Sequence, residues 1–166
     1  DVVLEATHGN AEIALTRDEI DDAQFLGDGV YRLKSGALLR FRTTIERRLS
    51  EVAICTVGAH WRSEFEFWAH APMALDHGVE PTVLDALQRG RQPEFERDDE
   101  RLVHAVAHHL LVDRRVDDAT YDAAVGLLGE GGMVELAALV GYYCTISVIL
   151  NLFEVPLPAG NDPIWP

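Results

Sequence analysis

The chain has 166 residues, 48% apolar and 25% charged, with a net charge of −14. That is enough for one domain with a proper core, or a domain plus an arm, and the acidic balance excludes a phosphate-binding surface built of clustered Lys and Arg. No apolar run reaches the roughly 20 residues of a membrane span, none stands where a signal peptide would, and Cys55 and Cys144 lack CxxC or zinc spacing, so the expectation is a reduced, cytoplasmic protein that binds neither nucleic acid nor membrane.

Residues 1–28 read as an N-terminal arm. It has weak apolar alternation (Val2, Leu4; Ile13, Leu15), a His-Gly-Asn turn signal, and a short helix opened by a Thr16–Glu19 capping box and ending near Phe25. Apolar residues at Val30, Leu33, Ala37, Leu38 and Phe41 follow helical spacing. A further helix is expected over Ile45–Ala59, then an aromatic-rich one over Trp61–Asp76 that Gly78 stops, and a short one opened by Pro81. Asp98 or Asp99 would cap the next helix and Asp117-Asp118 another; after Gly129–Gly132 comes a long, almost wholly apolar helix, Met133–Phe153. Pro156, Pro158, Pro163 and Pro166 make residues 156–166 a non-helical tail. The sum is an all-α bundle of about seven to eight helices over residues 29–155.

Chemistry concentrates in Ser50–His77. Ser63, Glu66 and His70 stand three and then four residues apart, which on a helix places them within an arc of about 60°. A carboxylate and an imidazole one turn apart can share a proton or hold a small polar ligand, and they are costly in an apolar setting unless paired or used. Such a pair also serves as a plain structural ion pair, and the surrounding Trp61, Phe65, Phe67 and Trp68 read as core.

The pattern of Glu51, Ser63, Glu66 and His70, with the run EFEFWAH and the later VELAALVGYY and ILNLFEV, resembles the carboxymuconolactone decarboxylase and alkylhydroperoxidase D-like superfamily. In particular it is similar to a branch of that superfamily without cysteines. The resemblance implies an alkylhydroperoxidase D-like helical fold, a homo-oligomer (trimer, hexamer or dimer), and a proton relay at the Glu51 and His70 positions. It also shows a departure: Ser63 and Glu66 occupy the positions of the two redox cysteines in the peroxidase branch. A thiol peroxidase needs a thiolate and a resolving thiol, so that activity is not expected here.

The function expected is a cofactor-independent lyase or isomerase acting on a small organic acid or lactone. His70 would be general acid/base, oriented by Glu66, with Glu51 as a second carboxylate. Ser63, His60, Trp61 and Tyr142 would line the substrate pocket, and Arg48 would meet a substrate carboxylate. No metal or cofactor is called for, although Glu100, His104 and His108 at i, i+4 and i+8 form a face that could chelate one. The alternatives are a catalytically degenerate oligomeric scaffold and a metal-dependent variant.

Overall fold

The computed structural model describes residues 2–8, 11–16, 24–26, 30–36, 38–40 and 43–165. The chain divides into two compact units, Asp1–Arg42 and Thr43–Pro166. In the first, β1 (Val2–His8) pairs antiparallel with β2 (Ala11–Thr16), in a register that sets Leu4 opposite Leu15 and Ala6 opposite Ile13. Three short strands, β3 (Gln24–Phe25), β4 (Val30–Arg32) and β5 (Leu38–Arg40), form an antiparallel sheet in sequence order.

The helix expected over Val30–Phe41 is therefore corrected to a strand pair. Lys34, Ser35 and Gly36 turn the chain, with Gly36 at a φ of 86° and its N–H bonded to Leu33 O. Such a turn suits glycine and breaks a helix, whatever the apolar spacing around it. The helix expected from Thr16 to Phe25 meets β2 and β3 at its ends: Thr16, its expected N-cap, is the last residue of β2, and residues 17–23 lie outside the described residues.

The second unit is all-helical: α1 (Arg47–Trp61), α2 (Glu64–Asp76), α3 (Pro81–Gln88), α4 (Asp98–Val112) and α5 (Asp118–Leu152). α5 is two expected helices joined at Gly129, whose φ of 73° and ψ of 170° interrupt the helical backbone. α1 is the axis of the unit. Its small and β-branched residues are buried from Arg48 to Gly58, and α2, α4 and α5 all pack on it. Pro81 opens α3, and Asp117 caps α5 by accepting the Thr120 N–H at 3.0 Å. At α4 the N-cap is Arg97 rather than Asp98 or Asp99, and its side chain makes no capping bond.

Residues Leu136–Phe153 carry no charge, so by length and composition α5 meets the requirement for a membrane span, contrary to the reading of run lengths. Within the domain, Leu136, Leu139, Val140, Tyr143, Ile146 and Ser147 form its buried face, while Val134, Val148 and Leu152 face outward. The proline-rich tail returns over the helices. Ile164 and Trp165 pack against a core of Val52, Phe67, Val83 and Leu87, and both donate backbone N–H groups to the Glu64 carboxylate, at 2.7 and 2.9 Å. Trp165 also donates from its indole to Gln88 O (2.8 Å).

Candidate active site

α1 ends at Arg62 in the left-handed region, and Ser63 N–H bonds back to Gly58 O at 2.9 Å, so α2 begins folded against α1. This sets Glu51 of α1 against His70 of α2. His70 Nδ1 lies 2.8 Å from Glu51 Oε2, and Nε2 lies 3.1 Å from Glu66 Oε1 one turn earlier. Arg47 completes the cluster, 2.7 Å from Glu51 Oε1. The ring of Tyr143, from α5, meets the imidazole edge-on at 5.1 Å.

Glu51, Glu66 and His70 are fully buried. Burial alone lowers the imidazole pKa, but the hydrogen bonds and charges of Glu51 and Glu66 outweigh it and raise it to about 9. A pKa raised this far favours the imidazolium at neutral pH, so of the general acid/base role expected from the sequence it is the acid that these surroundings support. With Arg47 the cluster contains two cations and two carboxylates and is electroneutral. Burial, and then the Glu51 and Glu66 charges, push the nearby Cys55 thiol well above its ordinary value, so it is not a thiolate nucleophile.

Ser63 stands at the N-cap of α2 and is fully buried. Tyr142 stacks edge-on against Tyr143 at 5.1 Å, and burial followed by the Glu66 charge raises its phenol. His60 and Trp61 are elsewhere. His60 lines a cavity of about 240 Å³ with Thr56, His104 and His108, and Trp61 is partly exposed at the end of α1.

Arg48 is a correction. Its guanidinium is engaged by Glu100 (2.6 Å) and Asp99 (2.6 Å) from α4, which commits it to a structural ion cluster instead of a substrate. The guanidinium on the site belongs to Arg47, and its i, i+4 spacing to Glu51 was the signal available in the sequence. The pairing with Arg48 also removes Glu100 from the histidine face. Among the described residues no group of three or more His, Cys, Asp or Glu is placed to hold a metal. Three surface cavities lined by described residues lie away from the cluster, and none of the three borders it.

A solved structure from Agrobacterium tumefaciens superposes on this chain with a TM-score of 0.61 over 70% of it and 81% of the other chain, at 13% identity. That protein is described as one of unknown function, suggested to be the antioxidant defence protein AhpD. This chain has the alkylhydroperoxidase D-like fold. No protein-family model and no curated protein matches the sequence. Sequence reasoning missed Arg47 and the α5 residue Ser147. Ser147 is fully buried and has no hydrogen-bond partner among the described residues, a state that no sequence pattern announces.

Proposed function

We propose that this protein is a cofactor-independent acid–base enzyme of the lyase or isomerase kind, acting on a small organic acid or lactone. His70 is the general acid, Glu66 and Glu51 hold its two nitrogens, and Arg47 balances the charge of Glu51. The observation that carries the reading is the placement of one buried imidazole between carboxylates of two different helices, in a domain where the buried hydroxyls of Ser63 and Ser147 have no hydrogen-bond partner among the described residues. A purely structural ion cluster satisfies the polar groups around it, whereas a buried hydroxyl left unsatisfied calls for an explanation, of which a catalytic role is one. Thiol peroxidation finds no support, since the redox positions hold Ser63 and Glu66 and Cys55 is a buried thiol.

An oligomeric scaffold without catalysis is the competing reading. What favours it is that the cluster balances its own charges and that Glu51, Glu66 and His70 are closed to solvent. In either case the outward residues Val134, Val148 and Leu152 of α5 are where a second copy would pack.

The test is turnover of a panel of lactones and β-keto acids by the parent and by Glu66→Gln, which keeps shape and removes one charge. General acid catalysis through His70 predicts a loss of about 10²–10⁴-fold with the fold retained. The alkaline limb of the pH profile, where the imidazolium gives up its proton, would also move to lower pH as His70 loses a partner. Equal turnover in both proteins sinks the proposal.

A further inference from the structure

Three hydroxyls on the helices of this domain behave alike. Thr56 donates to Val52 O (2.7 Å), Thr145 to Gly141 O (3.1 Å), and Ser50 to Ile45 O and Glu46 O (3.3 Å each): each returns its proton to a carbonyl about one turn back. Ser63 and Ser147 do not. Both are fully buried, and among the described residues neither Oγ has a hydrogen-bond partner. Ser63 is the more unusual because Ser63-Glu64-Phe65-Glu66 has the spacing of a capping box. Its hydroxyl nonetheless makes no capping bond, and the Glu66 carboxylate faces His70. A common stabilising arrangement has been forgone, and a buried unpartnered hydroxyl costs about 1–3 kcal/mol besides.

On α5, Tyr143, Ser147 and Asn151 succeed one another at i, i+4 and i+8, one stripe of the helix. The ends of the stripe are fixed: Tyr143 against the His70 ring at 5.1 Å, and Asn151 Nδ2 donating to Trp61 O at 2.9 Å. Ser147, midway, therefore faces the stretch between Trp61 and His70, which holds Ser63 and Glu66. There α2 begins, and the N-terminus of a 13-residue helix presents the positive end of its dipole.

We infer that Ser63 and Ser147 form a two-hydroxyl hole that binds the carbonyl oxygen of an uncharged substrate beside the His70 acid. The charge balance selects the neutral compound. Arg47 and His70 are already matched by Glu51 and Glu66, and Arg48 is held by Asp99 and Glu100, so no cation described around the cluster is left for a substrate carboxylate. Bringing an anion beside Glu66 would add an uncompensated buried charge. A ketone or ester oxygen needs only donors, and as negative charge develops on it during reaction those donors strengthen. The inference rests on the acid–base reading for its chemistry, but its binding part stands alone.

The test is infrared spectroscopy of carbonyl-labelled cyclopentanone with the full chain, with butyrate as the anionic counterpart in a parallel titration. The parent is expected to show a saturable carbonyl band displaced to lower frequency. Ser147→Ala and Ser63→Ala should each weaken binding by about tenfold, the worth of one hydrogen bond. Both variants should unfold at or above the parent temperature, because neither hydroxyl has a bond to lose. A merely structural serine would lower it. Absence of the displaced band, its persistence in both variants, or butyrate binding as tightly as the ketone each overturns the inference. A displaced band that survives in Glu66→Gln while turnover is unaffected would instead sink the acid–base reading and leave the hole standing.

Discussion

Two imidazoles are buried against α1, and their surroundings drive them to opposite charge states. His70 packs on Glu51 with Glu66 on its other nitrogen, and its pKa is raised to about 9. His104, from α4, packs against Thr56, with His108 one turn along. Burial, followed by the charges of His108 and His109, lowers its pKa to about 4. Burial penalises the charged form in both places, so burial is not what separates them. Partners decide. The threonine hydroxyl at His104 already donates to Val52 O, so the His104 Nδ1–H must donate to it, 3.1 Å away, and a neutral ring suffices. Two carboxylates at His70 demand an imidazolium.

The sharpest way to break this comparison is to remove each ring in turn. His70→Leu strands two buried carboxylates with Arg47 as the remaining cation of the quartet, and should cost about 3–5 kcal/mol by urea denaturation. His104→Leu removes a neutral ring whose partner Thr56 keeps its bond to Val52 O, and should cost no more than about 1.5 kcal/mol. Equal costs would mean that the two sites are alike in charge after all.

The pH dependence of stability should show the same opposition. His70 holds its proton more tightly in the folded chain than in the unfolded one. Its contribution is complete below about pH 6.5 and is lost as pH rises through about 9. For His104 the folded chain resists protonation, so its contribution is complete above about pH 6.5 and is lost as pH falls through about 4. Shifts of this size correspond to about 3 kcal/mol each. Melting temperature against pH should therefore fall on both sides of pH 6.5. His70→Leu should flatten the alkaline side, and His104→Leu the acid side between about pH 6.5 and 4. A smaller effect is expected from Thr56→Val, which removes the acceptor of His104 Nδ1–H and should cost about 1–3 kcal/mol. Proton NMR of the His104 ring would then show its Nδ1–H exchanging faster with solvent.

Much of the helical domain could be read in the sequence because its punctuation is local. Pro81, Gly78, Asp117 and Gly129 each act within a turn of where they stand. Glu66 and His70 were legible for the same reason, being one turn apart on one helix. Glu51 belongs to another helix, and only the family resemblance paired it with them. The choice between Arg47 and Arg48 turned on which face of α1 meets α4, and residue order does not state that. On the strand pair Val30–Arg32 and Leu38–Arg40 the apolar spacing misled, since those apolar positions fit a helical period while Gly36 turns the chain. The regular spacing of Glu100, His104 and His108 left a chelating face open as an alternative to a plain polar one; in the structure Arg48 draws Glu100 away and Thr56 takes one nitrogen of His104.

The tail bonds to Glu64 give assembly an order in time. A ribosome delivers Glu64 one hundred residues before Ile164, its partner on the strap. Until then the first turn of α2 has its neighbours from α1 but not the peptide that crosses it. Contacts so distant along the chain close late, since the intervening loop entropy must be overcome first. During synthesis the stretch that carries Ser63, Glu66 and His70 is thus left without its outer support until residues 164 and 165 emerge, and the surface that receives the Trp165 indole stays open to other hydrophobic partners in the meantime.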